Sequence, residues 1–433
     1  MNAPAFDADL KLHPYWWETT PRPVLPSDSL PARVDVLVIG SGYTGLGAAL
    51  VTQRAGRSTV VIDAEDAGFG CSTRNGGQIS TSIKPGYAAL AKRHGPDRAF
   101  QVLREGHNSL AWAAELVARE KIDCDFRVVG RFHAAHNPAQ YDALVAKSRE
   151  PQMKGLEVPM RLVPRAEQRS ELGTDAYFGG AVFTKHASVD PGRLHQGVLD
   201  RVLAAGAAVV PHTQATGIER DGTGFRVTTS RGVVAARDVV VATNGYTKGL
   251  TPWLQRRVIP IGSYVIATEE LPAETIRRIF PTGRIASDSR KVVYYYRPSP
   301  DGRRVVFGGR VSHSETDPRV SGPLLRNEMV RLFPELETAR ISHSWCGFVA
   351  YTFDEVMHCG RHDGIHYAMG YCGSGVGMAN YLGMRMGQQV LGLAEGKTAF
   401  DDLPFPTRPF YTGNPWFLAP SIRWYQWRDS RPV

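Results

Sequence analysis

Three glycines near the start of the chain have the spacing of a diphosphate-binding turn. Gly40, Gly42 and Gly45 follow the apolar run 34–39 in the pattern Gly-x-Gly-x-x-Gly. In such a turn the first glycine allows the tight bend, the second lets the backbone approach a pyrophosphate, and the third lets helix and strand pack closely. Free amides at the start of the following helix, predicted for 46–55, bind the phosphates.

A carboxylate completes this unit. The second apolar run, 58–62, ends at Asp63, so that strand, helix and strand together form a βαβ unit. An acid at this position accepts hydrogen bonds from a ribose and repels a 2′-phosphate, which disfavours NADP. The pattern therefore predicts dinucleotide binding and leaves FAD and NAD open.

Three further segments could approach the same ligand. The loop 68–78 is rich in glycine and small polar residues, so it cannot pack as a core strand and offers many backbone donors. The run 372–378 is a second glycine-rich turn, and it opens an apolar helix predicted for 379–394. The predicted strand 238–245 ends in Gly245, which could again bring the backbone close to the cofactor.

The segment 294–297 is the main candidate for binding a substrate. It reads Tyr-Tyr-Tyr-Arg on a predicted strand, and alternation places Tyr295 and Arg297 on one face. An arginine beside an aromatic ring suits a substrate carboxylate, although an ordinary strand with one solvated face fits the same pattern. Three other aromatic side chains are candidates for the cavity wall: Tyr264, Trp345 and Tyr371.

Histidines and a cysteine between 358 and 366 have a spacing that suggests metal ligands. Asp363-Gly364 within this segment is typical of a hairpin turn with a strand on each side. Side chains on the two strands would then point in different directions, which does not suit a tetrahedral site. We therefore predict no metal.

The elements that must position these residues follow from periodicity and turn signals. Helices are predicted at 96–120, 190–205 and 324–332, and strands at 126–135, in 207–245 and in 258–310. The last range is expected to form an antiparallel sheet in a second domain. The aromatic N-terminal arm and the Pro-rich tail, 404–433, are expected to dock on the surface of the body.

The composition is that of a globular protein with two or three domains. The 433 residues are 42% hydrophobic and 21% charged. The net charge of +9 is spread without a basic run, which argues against nucleic-acid binding and mildly favours anionic substrates or cofactors. The five widely spaced cysteines indicate reduced thiols. Without a signal core or a membrane span, we expect a cytoplasmic protein.

In their order along the chain, these segments resemble a known family. The βαβ unit with Asp63 and the runs 72–78, 242–245, 307–310 and 373–377 are similar to those of the FAD-dependent amine oxidoreductases. The resemblance is to the D-amino-acid oxidase, glycine oxidase and sarcosine oxidase type, and it covers nearly the whole chain. The Arg-Asn-Gly-Gly-Gln loop with an aromatic arm is most similar to the members that oxidise gamma-glutamylputrescine.

The resemblance implies FAD bound without a covalent link. Cys346 lies close to where some relatives attach the flavin, but its spacing to Thr352 and Asp354 is one residue off. The implied FAD contacts are Gly40, Ser41, Gly42, Tyr43, Thr44 and Gly45 at the diphosphate, Asp63 and Ala64 at the ribose, Ala215 at the adenine, Ser72, Thr73, Asn75, Gly76, Gly77 and Gln78 at the flavin end, Thr243, Asn244 and Gly245 after the strand, and Gly373, Ser374, Gly375, Val376, Gly377 and Met378 under the isoalloxazine ring.

The implied fold is α/β, with a Rossmann-like FAD-binding domain of the glutathione-reductase type. A second, α+β substrate domain is built on an antiparallel sheet. The predicted boundaries are 1–31 for the arm, 32–95, 165–257 and 345–433 for the FAD-binding domain, and 96–164 and 258–344 for the substrate domain.

The implied reaction passes a hydride from the carbon next to an amine to flavin N5, and water then hydrolyses the imine to an aldehyde or keto acid. A gamma-glutamylputrescine-like substrate is favoured, and no side chain is assigned as a catalytic base. Electrons leave to oxygen or to a carrier, because no second dinucleotide unit for NADPH is found. Two alternatives stay open: a flavin dehydrogenase that serves a quinone or carrier, and a non-catalytic flavin-binding partner subunit.

Overall fold

The computed structural model describes residues 5–26, 30–150 and 152–431. Residues 1–4 and 27–29 of the predicted arm, residue 151 of the predicted substrate domain and residues 432 and 433 of the tail lie outside the described residues. Within those ranges, no helix has the length and apolar character needed to cross a membrane.

Strands and helices alternate along much of the chain. The strands are β1 (Phe6–Lys11), β2 (Arg33–Ile39), β3 (Thr59–Ile62), β4 (Gln78–Ile79), β5 (Arg131–Ala134), β6 (Met160–Val163), β7 (Gly180–Phe183), β8 (Ala187–Ser188), β9 (Ala208–Val210), β10 (Ala215–Asp221), β11 (Gly224–Thr229), β12 (Gly232–Val241), β13 (Ile259–Thr268), β14 (Ile285–Asp288), β15 (Tyr295–Pro298), β16 (Val305–Gly309), β17 (Ile341–Tyr351), β18 (His358–His362) and β19 (Ile365–Met369). The helices are α1 (Trp16–Thr19), α2 (Tyr43–Arg54), α3 (Tyr87–His94), α4 (Pro96–Arg119), α5 (Pro138–Arg149), α6 (Pro191–Ala204), α7 (Pro252–Gln255), α8 (Ala273–Ile279), α9 (Pro318–Leu332), α10 (Gly375–Val390) and α11 (Leu418–Asp429).

One sheet is built around the predicted βαβ unit. Its strands lie in the order β10-β11-β12-β2-β3-β9, and β19 pairs with β12 at one end. β12, β2, β3 and β9 run parallel, and the apolar run of β2 is buried between layers. Helices α2, α4, α6 and α10 cover one face and share a core with it.

The second sheet has nine strands in the order β1-β17-β13-β16-β15-β14-β5-β7-β6. Most of its pairs are antiparallel, as the sequence predicts, but β1–β17 and β14–β5 are parallel. Helix α9 and α8 cover the face opposite the cavity, where Phe132, Tyr296 and Phe307 form a core with Leu325 and Ile279. One face of the sheet is therefore packed by helices, the arm covers part of the other face, and the rest of that face lines the cavity.

The nine-stranded sheet crosses the predicted domain boundaries. β7 belongs to it, although the sequence places 165–257 in the FAD-binding domain, and β17 runs through the boundary predicted at 344/345. A strand of four apolar residues carries no local signal for which sheet it joins, since pairing is fixed by distant partners.

Three helices begin before their predicted starts: α2 at Tyr43 rather than 46, α10 at Gly375 rather than 379, and α9 at Pro318 rather than 324. Helix α9 begins at Pro318, although the prediction began at Leu324, because Asp317 accepts a hydrogen bond from the Arg319 amide at the helix start. Pro323 lies in the first turns of α9 and is tolerated there. Because proline usually marks a helix boundary, the predicted start was too late. Part of the predicted tail forms α11.

The N-terminal arm docks on the body over residues 5–26, in line with the sequence interpretation. β1 pairs with the edge strand β17, and Trp16 is fully buried. The indole Nε1 of Trp16 donates to the Asn75 carbonyl and that of Trp17 to the Thr73 hydroxyl. The arm therefore supports the loop 68–78 from outside.

Candidate functional site

Glycines shape the turn between β2 and α2. Gly40 has a φ of +108°, and a Cβ on Gly45 would lie 1.9 Å from the Gly40 carbonyl oxygen. No side-chain hydrogen bond caps α2 at Gly42. The Tyr43 amide donates to the Ser72 hydroxyl, and the rest of the first turn of α2 presents its backbone to the cavity, as an anion-binding helix N-terminus does.

The carboxylate of Asp63 lies beside this turn. One of its oxygens accepts hydrogen bonds from the Ser41 amide at 2.7 Å and the Ser41 hydroxyl at 2.6 Å, and the other accepts from the Glu65 amide at 3.1 Å. Burial raises the pKa of Asp63 above its usual range, although these hydrogen bonds oppose the shift. The acid is thus fixed in place at the end of β3, next to the glycine turn.

The loop 68–78 folds over the turn and is held by its own side chains. Asn75 donates to the carbonyls of Cys71 and Ser72 and accepts from the Gly77 amide. Gly77 has a φ of +65°, and a Cβ there would lie 2.2 Å from the Val189 carbonyl oxygen. The Ser72 hydroxyl accepts from the Tyr43 amide, which joins the loop to α2.

The second glycine turn leads into α10. Gly373 has a φ of +96°, and the Ser374 hydroxyl donates to the Ser82 carbonyl at 2.8 Å. A Cβ on Gly375 would meet only ordinary contacts, whereas a Cβ on Gly377 would press on Ile79 at 3.1 Å. Gly377 is therefore needed for packing, and Gly375 leaves space at the helix start.

A cavity of about 960 Å³ joins these pieces and lies between the two sheets. Its lining includes these residues implied for FAD: Gly40, Gly42, Tyr43, Thr44, Asp63, Ala64, Ser72, Asn75, Gly76, Gln78, Ala215, Thr243, Asn244, Gly373, Ser374, Gly375 and Val376. The others are buried and do not line it: Ser41, Gly45, Thr73, Gly77, Gly245, Gly377 and Met378. The two glycine turns thus open onto one continuous space.

Two of the five residues predicted to contact the substrate line this cavity. The Tyr295 ring packs on Gly76 and Gly308, and its hydroxyl lies 2.9 Å from that of Ser263. The hydroxyl of Tyr371 lies 2.5 Å from that of Thr44 and donates to the Ala368 carbonyl. Tyr371 therefore links the end of β19 to the first turn of α2.

The other three lie outside the cavity and have structural contacts. Arg297 donates to the carbonyls of Gly77, Val189 and Pro298. Trp345 donates from its indole to the Arg74 carbonyl, and the Tyr264 hydroxyl donates to Glu315. Arg297 shares its sheet face with Tyr295, as alternation predicts, but its donors are used by backbone carbonyls, one of them in the loop 68–78.

Sequence reasoning missed the sheet residues that form the cavity floor. They are Arg131, His133, Ser263, Ile285, Ser287, Val349 and Tyr351. In β5 the buried Phe132 and Ala134 alternate with Arg131 and His133, which is a signal for a polar cavity face. The predicted strand 126–135 contains this alternation, but its partners are remote in sequence.

The thiols near the cavity are protonated. Burial raises the pKa of Cys346 to about 12, and those of Cys71 and Cys372 to about 11. Cys71 and Cys372 line the cavity, whereas Cys346 packs against the core of the nine-stranded sheet. None of the three is therefore held as a reactive thiolate.

Comparison with known proteins gives the family. Residues 35–389 match the family model described as FAD dependent oxidoreductase. The chain is 32% identical over 416 residues to the gamma-glutamylputrescine oxidoreductase of Escherichia coli (strain K12), which covers 94% of this chain and 96% of that protein. It is 30% identical over 425 residues to the probable oxidoreductase OrdL of Rhizobium meliloti (strain 1021), covering 96% and 97%.

The fold is also that of solved structures. The crystal structure of glycine oxidase from Geobacillus kaustophilus superposes with a TM-score of 0.70 at 20% identity, covering 88% of this chain and 99% of that one. The predicted Rossmann-like α/β class is thereby confirmed. The glycine turn after β2 and the buried Asp63 beside it suit a dinucleotide. The chain belongs to the family of FAD-dependent oxidoreductases.

Proposed function

We propose that FAD lies along the cavity with its diphosphate at the turn after β2 and its isoalloxazine ring between the loop 72–78 and the start of α10. Three features support this arrangement. A Cβ at Gly42 would lie 2.8 Å from the Ser72 hydroxyl, so the position needs glycine. Asp63 is placed for a ribose, and α10 presents its N-terminus at Gly375. The arrangement needs no covalent link, since Cys346 faces the core and stays protonated.

We further propose that the protein oxidises the C–N bond of an amine to an imine, which water hydrolyses, and that the substrate resembles gamma-glutamylputrescine. FAD, when bound, supplies the acceptor for two electrons. The likeness to a gamma-glutamylputrescine oxidoreductase supports the substrate class. The large cavity supports it independently, because its space continues past the glycine turns to the floor of the second sheet.

The side chains of the floor can hold such an amine without charging it. The hydroxyls of Ser263, Tyr295 and Ser287 face the cavity, and Ser287 lies 3.1 Å from Nδ1 of His133. Burial lowers the pKa of His133 to about 3, so the ring is neutral near pH 7 and accepts or donates a hydrogen bond. These hydroxyls and the neutral imidazole can bind an amine with its lone pair free, as oxidation to an imine requires.

The observation that carries the proposal is the continuity of the cavity from both glycine turns to this floor. The test is anaerobic mixing of the FAD-loaded protein with gamma-glutamylputrescine, putrescine, D-amino acids and N-methyl amino acids. We expect gamma-glutamylputrescine to bleach the flavin absorbance fastest. Bleaching by no amine would contradict the function, and bleaching by an amino acid alone would contradict the substrate class.

The same reaction run in air identifies the acceptor. Hydrogen peroxide formed in proportion to substrate would indicate an oxidase. Slow peroxide formation with rapid reduction of an added dye would indicate a dehydrogenase that serves a carrier.

A further inference from the structure

Three of the cations that line the cavity differ in how their charge is compensated. Arg290 contacts the carboxylate of Asp288, and Lys291 lies 2.9 Å from that of Glu355. Arg131 also lines the cavity, yet it has no ion pair with any residue the structure describes. Charged side chains in partly buried positions usually have an opposite charge beside them, so this guanidinium lacks an expected partner.

The hydrogen-bonding groups of Arg131 are also largely unused. Its Nη2 lies 3.5 Å from the Ser82 hydroxyl, which is at the limit of a hydrogen bond, and its Nε is buried without a partner. The guanidinium lies over the Phe183 ring, 5.4 Å from its centre. In contrast, Arg297 on the same sheet donates to three backbone carbonyls. The guanidinium of Arg131 is therefore positioned by an aromatic ring, and its N–H donors are available to a ligand.

The neighbours of Arg131 do not supply a negative charge. His133 and His186 lie close to it, and burial, reinforced by the charge of Arg131, lowers their pKa values to about 3 and about 2. Both rings are neutral near pH 7. Burial lowers the pKa of Arg131 itself only to about 10, so it remains charged. A carboxylate from outside the chain would satisfy both its charge and its paired donors.

The sheet sets the distance between this cation and the flavin end of the cavity. Tyr295, which packs on Gly76, is on β15, and Arg131 is on β5, with only β14 between them. Neighbouring strands lie about 4.8 Å apart, so the two strands are separated by about 10 Å. Both side chains face the same cavity.

We propose that Arg131 is the binding site for the anionic end of an extended substrate, whose oxidised amine lies at the Tyr295 end of the floor. The proposal rests on the proposed function, which it sharpens. Tyr295 is level with His133 across β14, and Arg131 lies two residues further along β5, so the protein selects amines that carry a carboxylate about 12 Å away. A gamma-glutamyl group on a diamine has such a carboxylate, whereas a free diamine or a small amino acid does not.

The experiment compares Arg131→Met and Arg131→Lys with the unchanged FAD-loaded protein. Arg226→Met is the matched control, because Arg226 is an exposed strand arginine on the other sheet, outside the cavity lining. Anaerobic flavin reduction is measured with gamma-glutamylputrescine and with its carboxamide, which lacks only the negative charge. Losing a charge-assisted hydrogen-bonded pair weakens binding by about 10- to 100-fold.

We expect Arg131→Met to raise KM for gamma-glutamylputrescine by about 10- to 100-fold and to leave the carboxamide unchanged. Arg131→Lys should recover part of the loss. The reduction rate at saturation should change little, because the cation is remote from the reacting bond. Equal losses with both compounds, or none with either, would overturn the proposal.

Calorimetry with glutarate separates this proposal from the proposed function, since it needs no turnover. The unchanged protein and Arg226→Met should bind glutarate, and Arg131→Met should bind it at least about 10-fold more weakly. That result would stand even if no amine bleached the flavin. Glutarate that fails to bind, or that binds equally to Arg131→Met, would overturn the anion site while leaving the oxidation of amines intact.

Discussion

At the scale of single residues, Asp63 is the side chain that we propose recognises the FAD ribose. Its carboxylate is held by Ser41 and Glu65, and burial works against its charge. We expect Asp63→Asn to weaken FAD binding by about 10- to 100-fold, because a charged acceptor is worth more to a hydroxyl than a neutral one. Titration of the apoprotein with FAD, followed by tryptophan fluorescence, measures the change.

The chain offers a matched control for this variant. Asp35 accepts from the amide and hydroxyl of Ser58 just as Asp63 does from Ser41, but it lies outside the cavity lining. Asp35→Asn should leave FAD affinity unchanged. The melting temperature of the Asp63→Asn apoprotein should not fall, since the substitution removes a charge that burial disfavours. Equal FAD affinity in the two variants would contradict a ribose contact.

At this scale the sequence predicts the local glycine motifs but not the contacts of two arginines. The motifs around Gly40 and Gly373 are local, so spacing alone located them, and the cavity indeed opens onto both turns. Arg297 looked like a ligand for a carboxylate, yet its donors satisfy carbonyls of Gly77 and Val189, which are far away in sequence. Arg131 looked like an ordinary strand residue. The role that we propose for it depends on which strands pair with β5, and no local pattern contains that information.

At the scale of elements, two helices carry the glycine turns and touch through glycines. A Cβ on Gly383 of α10 would lie 2.5 Å from the Thr44 carbonyl oxygen of α2, and a Cβ on Gly47 would lie 3.2 Å from Gly383. The contact is therefore backbone on backbone. It fixes the distance between the glycine turn before α2 and the second glycine turn before α10, between which we propose that FAD lies.

We expect Gly383→Ala to lower the free energy of unfolding by about 1–3 kcal/mol, because the new methyl group has no space. It should also weaken FAD binding, since the two turns must move apart. Urea denaturation and FAD titration measure the two effects. Gly86→Ala is the control, because nothing lies within 4 Å of the position and its φ is −68°. A Gly383→Ala protein with normal stability and FAD affinity would show that this contact does not set the geometry.

The arm is a third element whose partner the sequence does not name. Paired tryptophans predicted docking, and Trp16 is indeed buried. The structure adds that both indoles donate to the flavin-end loop, at Asn75 and Thr73. Thr73, which the resemblance assigned to FAD, is thus engaged behind the cavity. Apolar composition predicts burial, but only the tertiary fold determines which loop receives the hydrogen bonds.

At the scale of the whole molecule, the cavity lies where the carboxyl ends of β2, β3 and β12 meet the nine-stranded sheet, because both faces of the first sheet are packed. The packing around it buries histidines in neutral form. His195 has no exposed surface, and its ring lies between the Ser41 carbonyl, 2.8 Å from Nε2, and Arg22, 3.3 Å from Nδ1. Burial lowers its pKa to about 3, and that of His186 to about 2.

These histidines predict a loss of stability in mild acid. In the unfolded chain their pKa is about 6.5, so below that pH the unfolded state binds protons that the folded state does not bind. Their contribution is complete above pH 6.5 and declines as the pH falls toward the folded values. Between pH 7 and pH 5, each fully buried histidine should lower the free energy of unfolding by about 2 kcal/mol.

Urea denaturation of His186→Gln at several pH values tests this expectation. His186 faces Arg131, His133 and His107, and its Nδ1 has no hydrogen-bond partner, so a neutral amide should be tolerated. Between pH 7 and pH 5, the free energy of unfolding of His186→Gln should fall by about 2 kcal/mol less than that of the unchanged protein. Identical slopes for His186→Gln and the unchanged protein would mean that the acid sensitivity arises from other groups.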